Sequence, residues 1–220
     1  MGVPFLKMEI KMADFQGIAD ALIKGQAPVV KELVQEAVNE NVSPEDILVK
    51  GLIAGMSVIG VRFKNNEVYV PEVLIAARAM HAGMDIIKPL LAETGVEPKG
   101  VVAIGTVKGD LHDIGKNLVM MMIEGAGFNV MDLGVDVPPE KYIQAIKDGA
   151  QIIGMSALLT TTMPAMKSTI DAIVEAGVRD SVKIMVGGAP LTQAFADEIG
   201  ADGYSADAAS ASELALQLMG

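Results

Sequence analysis

With 220 residues, 51% of them hydrophobic and 20% charged, the chain can bury one or two cores and is not a disordered segment. Seventeen basic residues against twenty-eight acidic leave a formal charge of −11 with no basic run. That field repels a phosphate backbone and argues against nucleic acid as a partner. The absence of cysteine excludes disulfides, a thiolate nucleophile, zinc–thiolate sites and cysteine-bound iron–sulfur clusters. No apolar run reaches the roughly 18–20 residues of a membrane span. The first twelve residues lack the apolar core of a signal peptide, and Leu6 stands where myristoylation favours Ser or Thr. These features predict a cytoplasmic protein without membrane partners.

Residues 1–11 read as an N-terminal extension, and 12–93 read as helices throughout. Apolar residues recur at helical spacing in Ile18, Leu22, Ile23 and again in Val29, Val30, Leu33, Val34, Ala37, Val38. Gly25 and Asn41 punctuate these two helices. Ser43-Pro44-Glu45-Asp46 predicts a third start, with a hydroxyl N-cap, a first-turn proline and acids at the positive end of the dipole. Pro71-Glu72 opens a fourth helix to about Glu93. Short connections suggest a four-helix bundle.

Residues 94–100 read as a linker. From 101 to 220, short β-rich runs at 101–106, 129–133, 152–156, 183–186 and near 203–204 alternate with amphipathic helices at 115–126, 139–148, 163–176, 191–199 and 208–219. Strict alternation predicts an α/β fold with a doubly wound, five-stranded parallel sheet. Ligands of such sheets sit at the carboxyl ends of the strands. Function is therefore sought in the loops after Thr106, Leu133, Ser156 and Val186.

The first of these loops, residues 107–117, holds His112, one of two histidines in the chain. An imidazole can ligate a metal through one nitrogen while the other donates to a carboxylate, and Asp110 and Asp113 are both close enough to serve. An exposed histidine beside two solvated acids fits the residues equally well. His81, on the fourth helix, reads as a surface or interdomain histidine, so a three-ligand catalytic zinc site is a poor fit. There is no G-x-G-x-x-G and no phosphate-binding P-loop, and Ser156 stands where a phospho-receiver would end its third strand with aspartate. The run Ser156 to Thr162 carries four hydroxyls, which suit either a ligand lining or helix capping by Thr162. Gly187-Gly188 permits close backbone approach, or is an ordinary turn.

Taken together, Asp110-x-His112-x-x-Gly115, Ser156-x-Leu158 and Gly187-Gly188 resemble the D-x-H-x-x-G, S-x-L and G-G signature of cobalamin-binding domains with a Rossmann-like fold. The helical half, with Phe63 and Tyr69-Val70-Pro71-Glu72, resembles the cap module of methionine synthase. From residue 12 to its end the chain resembles the stand-alone corrinoid proteins of three-component methyltransferase systems, which demethylate methanol, methylamines or methoxylated aromatics. The resemblance implies cobalamin or a related corrinoid bound base-off, with His112 as the cobalt ligand and Asp110 and Thr162 as its proton relay. It extends the corrinoid contacts to Gly109, Leu111, Asp113, Ile114, Gly115, Ser156, Leu158, Thr160, Gly187, Gly188 and Ala208. Phe63 and Val70 would shield the upper face.

The implied function is that of a methyl carrier whose cobalt cycles between cob(I) and methyl-cob(III). Its implied partners are a substrate:corrinoid methyltransferase, a methylcorrinoid:tetrahydrofolate or thiol methyltransferase, and a reductive activator. No residue set suggests an independent substrate-activating site. The subunit of an adenosylcobalamin mutase, a cobalamin sensor and a corrinoid storage protein share the signature and stand as alternatives.

Overall fold

The structure, a computed structural model, describes residues 14–94 and 97–220. The expected extension at 1–11 lies outside them, as do Gly95 and Val96 of the expected linker. Four helical rods come first. α1 (Phe15–Ile23) starts at Asp14, whose carboxylate accepts the Gly17 N–H at 2.7 Å and satisfies a first-turn donor. α2 (Ala27–Asn39) follows. Gly25 and Asn41 take left-handed φ angles of 68° and 59° at the two expected breaks, the usual way to end a helix.

The third rod differs from the single helix its spacing predicts. α3 (Pro44–Asp46) runs into a π-helical stretch, Ile47–Ile53, and then into α4 (Ala54–Lys64). Ser43 holds the N-cap position without a side-chain capping bond, so Pro44, which has no N–H to satisfy, opens the rod unaided. A Cβ on Gly51 would stand 3.0 Å from Ile18 Cγ2, and one on Gly55 3.0 Å from the Ala19 carbonyl oxygen. α1 thus crosses the third rod almost backbone to backbone, which apolar spacing does not reveal. α5 (Val70–Thr94) completes the set, and Leu22, Val34, Leu52 and Ile87 are fully buried among the rods.

Beyond residue 100 the alternation is regular. β1 (Val101–Val107) leads to α6 (Ile114–Gly125), β2 (Asn129–Val137) to α7 (Pro139–Lys147), and β3 (Ile152–Ser156) to α8 (Met163–Glu175). β4 (Lys183–Gly187), α9 (Gln193–Ile199), β5 (Gly203–Ser205) and α10 (Ala208–Met219) follow. All pairs are parallel in the order β2-β1-β3-β4-β5, the doubly wound sheet that the sequence predicts. β1 and β3 are buried on both faces, which is why they read as unbroken apolar runs.

α6 and α10 cover one face through Ile104, Ile123, Met185 and Ala215, and α7–α9 cover the other through Val107, Tyr142, Ile153 and Ile170. The rods stack outside α6 and α10, where Leu118, Met122, Ala208 and Ala209 share one apolar cluster with Met56, Ile59 and Met80.

β2 is four residues longer than its apolar run suggests. The added stretch holds Gly134 at φ 85° and Asp136 at φ 51°, and its pairing with β1 slips after Ile104 and again after Gly105. Such a bulge breaks the period-two pattern by which a strand is recognised.

Candidate functional site: a histidine-bearing cavity

A cavity of about 530 Å³ opens at the carboxyl ends of β1, β3 and β4, beside the switch point between β1 and β3, and Phe63 near the end of α4 forms part of its wall. The loop after β1 contributes Leu111, His112 and Asp113 to the lining, and the start of α6 adds Ile114 and Gly115. The end of β3 adds Ser156 and Leu158, β4 adds Gly187 and Gly188, and α10 adds Ala208.

His112 is held from two directions. Asp110, fully buried beneath it, takes the ring Nδ1 at 2.7 Å and the His112 N–H at 3.0 Å on Oδ1. Asp110 Oδ2 accepts the Leu158 N–H at 2.8 Å, the Leu159 N–H at 3.4 Å and the Thr162 hydroxyl at 2.7 Å. Burial alone would raise the Asp110 pKa, but the donors His112 N–H, Leu158 N–H, Thr162 hydroxyl and imidazole outweigh it and hold the carboxyl well below the usual range. An ionised Asp110 can only accept, so Nδ1 is the donor, and in the neutral ring the lone pair falls on Nε2. Nε2 has no hydrogen-bond partner among the described residues.

Thr162 occupies the N-cap position of α8 but makes no capping bond, its hydroxyl lying between Asp110 Oδ2 at 2.7 Å and the Leu159 carbonyl at 2.9 Å. Gly109, at φ 85°, turns the chain just before Asp110. Val70 and Thr160 do not line the cavity. Val70, the first residue of α5, packs on the helical core, and Thr160 lies exposed in the turn before α8.

The two glycine regions differ in what requires glycine. At Gly188, φ is 139° and a Cβ would fall 1.8 Å from the Ala157 carbonyl oxygen, so the fold itself demands the residue. A Cβ on Gly115 would meet nothing within 4 Å, so open cavity, not protein, borders that position. Leu111 and Ile114 are 72% and 78% exposed on the same wall. An apolar wall of this kind, next to one free imidazole nitrogen, fits a large flat ligand with a metal at its centre.

Sequence reasoning missed Lys116. Its side chain is buried on the cavity wall, paired with Asp132 of β2 and 3.5 Å from Met120 Sδ. Burial opposes ionisation of Asp132, but Lys116 and the Gly134 N–H, 2.8 Å away, hold its pKa below the ordinary value. A usable signal existed, because Lys116 precedes Val119, Met120 and Ile123 by three, four and seven positions and so falls on the inward stripe of α6. The lining after β5, Ser205 to Asp207, was also missed, since that strand is three residues long. His81 proves interdomain, its Nε2 lying 3.1 Å from Glu124 of α6.

Two family models, each described as a B12 binding domain, match the chain at residues 15–88 and 100–213. The dimethylamine corrinoid protein of Methanosarcina barkeri is 47% identical over 206 residues, 93% of this chain and 96% of the relative. A corrinoid protein of Desulfitobacterium hafniense (strain Y51) is 44% identical over 207 residues, 92% and 96% of the two chains. A solved cobalamin-binding protein from Desulfitobacterium hafniense DCB-2 has a TM-score of 0.77 at 30% identity, with 94% of this chain and 99% of that one covered. A chain of the methanol:cobalamin methyltransferase complex from Methanosarcina barkeri gives 0.83 at 31%, with 97% and 81% covered. Helical rods stacked on a parallel sheet, with a free imidazole nitrogen in the cavity at its switch point, are thus a cobalamin-binding architecture. The chain belongs to the corrinoid (B12-binding) proteins that resemble the carriers of methyltransferase systems. No described helix is long and apolar enough to cross a membrane.

Proposed function

We propose that this protein carries a methyl group on a corrinoid cobalt between a substrate:corrinoid methyltransferase and a methylcorrinoid:tetrahydrofolate or thiol methyltransferase. The carrying observation is the contact of His112 Nδ1 with Asp110 Oδ1 at 2.7 Å, which leaves Nε2 without a partner among the described residues. In this reading His112 Nε2 would hold the cobalt of a corrinoid bound base-off. When bound, the corrinoid would supply the one-carbon chemistry, a metal centre able to take up and give up a methyl group. Asp110 holds the Nδ1 side of the ring and Thr162 steadies the far carboxylate oxygen, so the pair fixes the ring's orientation.

Residues 12–93 act as the cap and 101–220 as the corrinoid-binding domain, joined by 94–100. Phe63 at the cavity wall shields the upper face, and the cap swings aside when a partner docks. Relatives at 47% and 44% identity are named dimethylamine and trimethylamine corrinoid proteins, which favours methylated amines as the first methyl donors to try. A reductive activator restores the carrier after adventitious oxidation.

The test is electron paramagnetic resonance of the protein loaded with hydroxocobalamin, reduced to the cob(II) state and labelled with nitrogen-15 histidine. Coupling from the labelled nitrogen, absent in His112→Ala, is the expected result. Cobalamin bound with its own base on cobalt would overturn the ligand assignment.

A further inference from the structure

We infer that Asp136 and Thr106 are positioning residues that set the place of His112 before any corrinoid binds; this rests on the reading of His112 as the cobalt ligand. Neither residue lines the cavity, and neither belongs to the motif that marks the site.

Asp136 is unusual first in its backbone. Among the described residues, three other than glycine have positive φ, and two of them, Asn41 and Asn66, lie just beyond helix ends, where that conformation is ordinary. Asp136 is the third, at 51°, and lies inside β2, where an L residue pays a steric penalty for it. The bulge thereby turns both its polar groups toward the loop after β1. The Asp136 carboxylate accepts the Gly109 N–H at 2.7 Å, and its own N–H donates to the Asp110 carbonyl at 3.0 Å. Two bonds from one residue therefore grip the chain on either side of the Gly109–Asp110 peptide.

Thr106 secures the other end. It is fully buried at the end of β1, and its hydroxyl donates to the His112 carbonyl at 2.8 Å. The His112 N–H is already taken by Asp110, and the Asp110 N–H donates to Val107 at 3.1 Å. Five backbone groups between Gly109 and His112 are thus fixed by partners in β1, β2 and the loop itself. A ligand loop of six residues, 108–113, is otherwise too short of apolar anchors to hold an imidazole still, because Leu111 is exposed and only Asp110 is buried. A ligand pre-placed in this way has a high effective concentration at the metal, since little ordering remains to be paid on coordination.

The experiment measures that effective concentration. The protein labelled with nitrogen-15 histidine is loaded with hydroxocobalamin, reduced to cob(II) and titrated with unlabelled imidazole. The spectrum separates nitrogen-15 coupling of His112 from nitrogen-14 coupling of the competitor. Asp136→Gly keeps the left-handed backbone and removes the acceptor; the imidazole concentration for half-replacement should fall about tenfold, the scale of one hydrogen bond to a charged group. Asp136→Asn retains an oxygen acceptor and tolerates the same φ, and should stay within about threefold of the wild type. Thr106→Val preserves volume without the hydroxyl and should behave like Asp136→Gly. Wild-type half-replacement in both Asp136→Gly and Thr106→Val, or resistance to imidazole in all three variants, overturns the inference even if their melting temperatures drop. Absence of histidine coupling in the wild type itself overturns the ligand reading, and this inference with it.

Discussion

Replacing Gly115 with leucine should move stability and binding in opposite directions. Gly115 is the second residue of α6, and nothing lies within 4 Å of the Cβ it lacks. A glycine in a helix costs up to about 1 kcal/mol relative to a good helix former, so leucine here should stabilise the empty protein by about 0.5–1 kcal/mol. For a chain of this size that raises Tm by about 1–4 °C. The same four carbons would enter the cavity wall between Ile114 and Lys116. Overfilling an occupied site costs about 1–3 kcal/mol, so hydroxocobalamin should bind about 5- to 150-fold more weakly. Thermal unfolding of the empty protein and a titration followed by visible absorption supply the two numbers. Gly188→Ala is the contrasting control, because a Cβ 1.8 Å from the Ala157 carbonyl oxygen must lower stability before any ligand is added. A Gly115→Leu protein that binds hydroxocobalamin as tightly as the wild type would refute the assignment of this cavity. A drop in its own stability would refute the claim that the space beside Gly115 is open.

Three further outcomes follow from the same geometry. The Asp110 pKa is depressed in the folded chain, so its stabilising effect is complete above about pH 4, the unfolded carboxyl value, and fades as pH falls through that value toward the folded one. Urea midpoints between pH 6 and 3 should therefore decline more steeply in the wild type than in Asp110→Asn, and equal slopes would contradict the hydrogen-bond pattern. The hydrogen bond to Glu124 raises the His81 pKa against the effect of burial, with Asp85 adding and Lys88 subtracting. The interdomain bridge is thus strongest below about pH 6.5 and is lost as pH rises through the raised value. Hydrogen exchange in α5 and α6 should quicken between pH 6 and 8 beyond the intrinsic rate change, and this excess should vanish in His81→Gln. Phe63→Ala should leave hydroxocobalamin affinity within about threefold yet speed photolysis of bound methylcobalamin; an unchanged photolysis rate would argue against the shield.

The sheet was legible because its central strands are buried on both faces and its helices present apolar stripes, so two periodicities mark two kinds of element. His112 and Asp110 were legible for another reason, since short-range spacing within one loop survives folding unchanged. What escaped is what depends on register. Asp136 reaches Gly109 only because β2 bulges beside β1, and neither strand's own pattern encodes that slip. Thr106 reads as an ordinary strand residue until its hydroxyl is found on the His112 carbonyl. Gly187-Gly188 reads either as a place of close backbone approach or as an ordinary turn, and the contact that requires Gly188 is with Ala157, a neighbour supplied by strand pairing rather than by sequence proximity.

The cap interface combines features that hold and features that let go. Met56 fills the space above Gly125, and a Cβ on Gly60 would lie 2.9 Å from Met122 Cε, so two methionines seat against two glycines across the boundary. Methionine is unbranched and adaptable, which lets such sockets separate and re-form without a jigsaw fit. Two ion pairs, His81–Glu124 and Lys64–Glu213, flank the sockets with side chains about one-third to one-half exposed. Exposed pairs contribute only about 0.2–1 kcal/mol each, so they orient the cap more than they bind it. Apolar contact therefore carries most of the docking. Under the proposed carrier role the cap has to uncover the cofactor for each partner, and adaptable sockets flanked by weak ion pairs suit that, whereas a storage protein would gain from a larger, branched and better-interlocked interface.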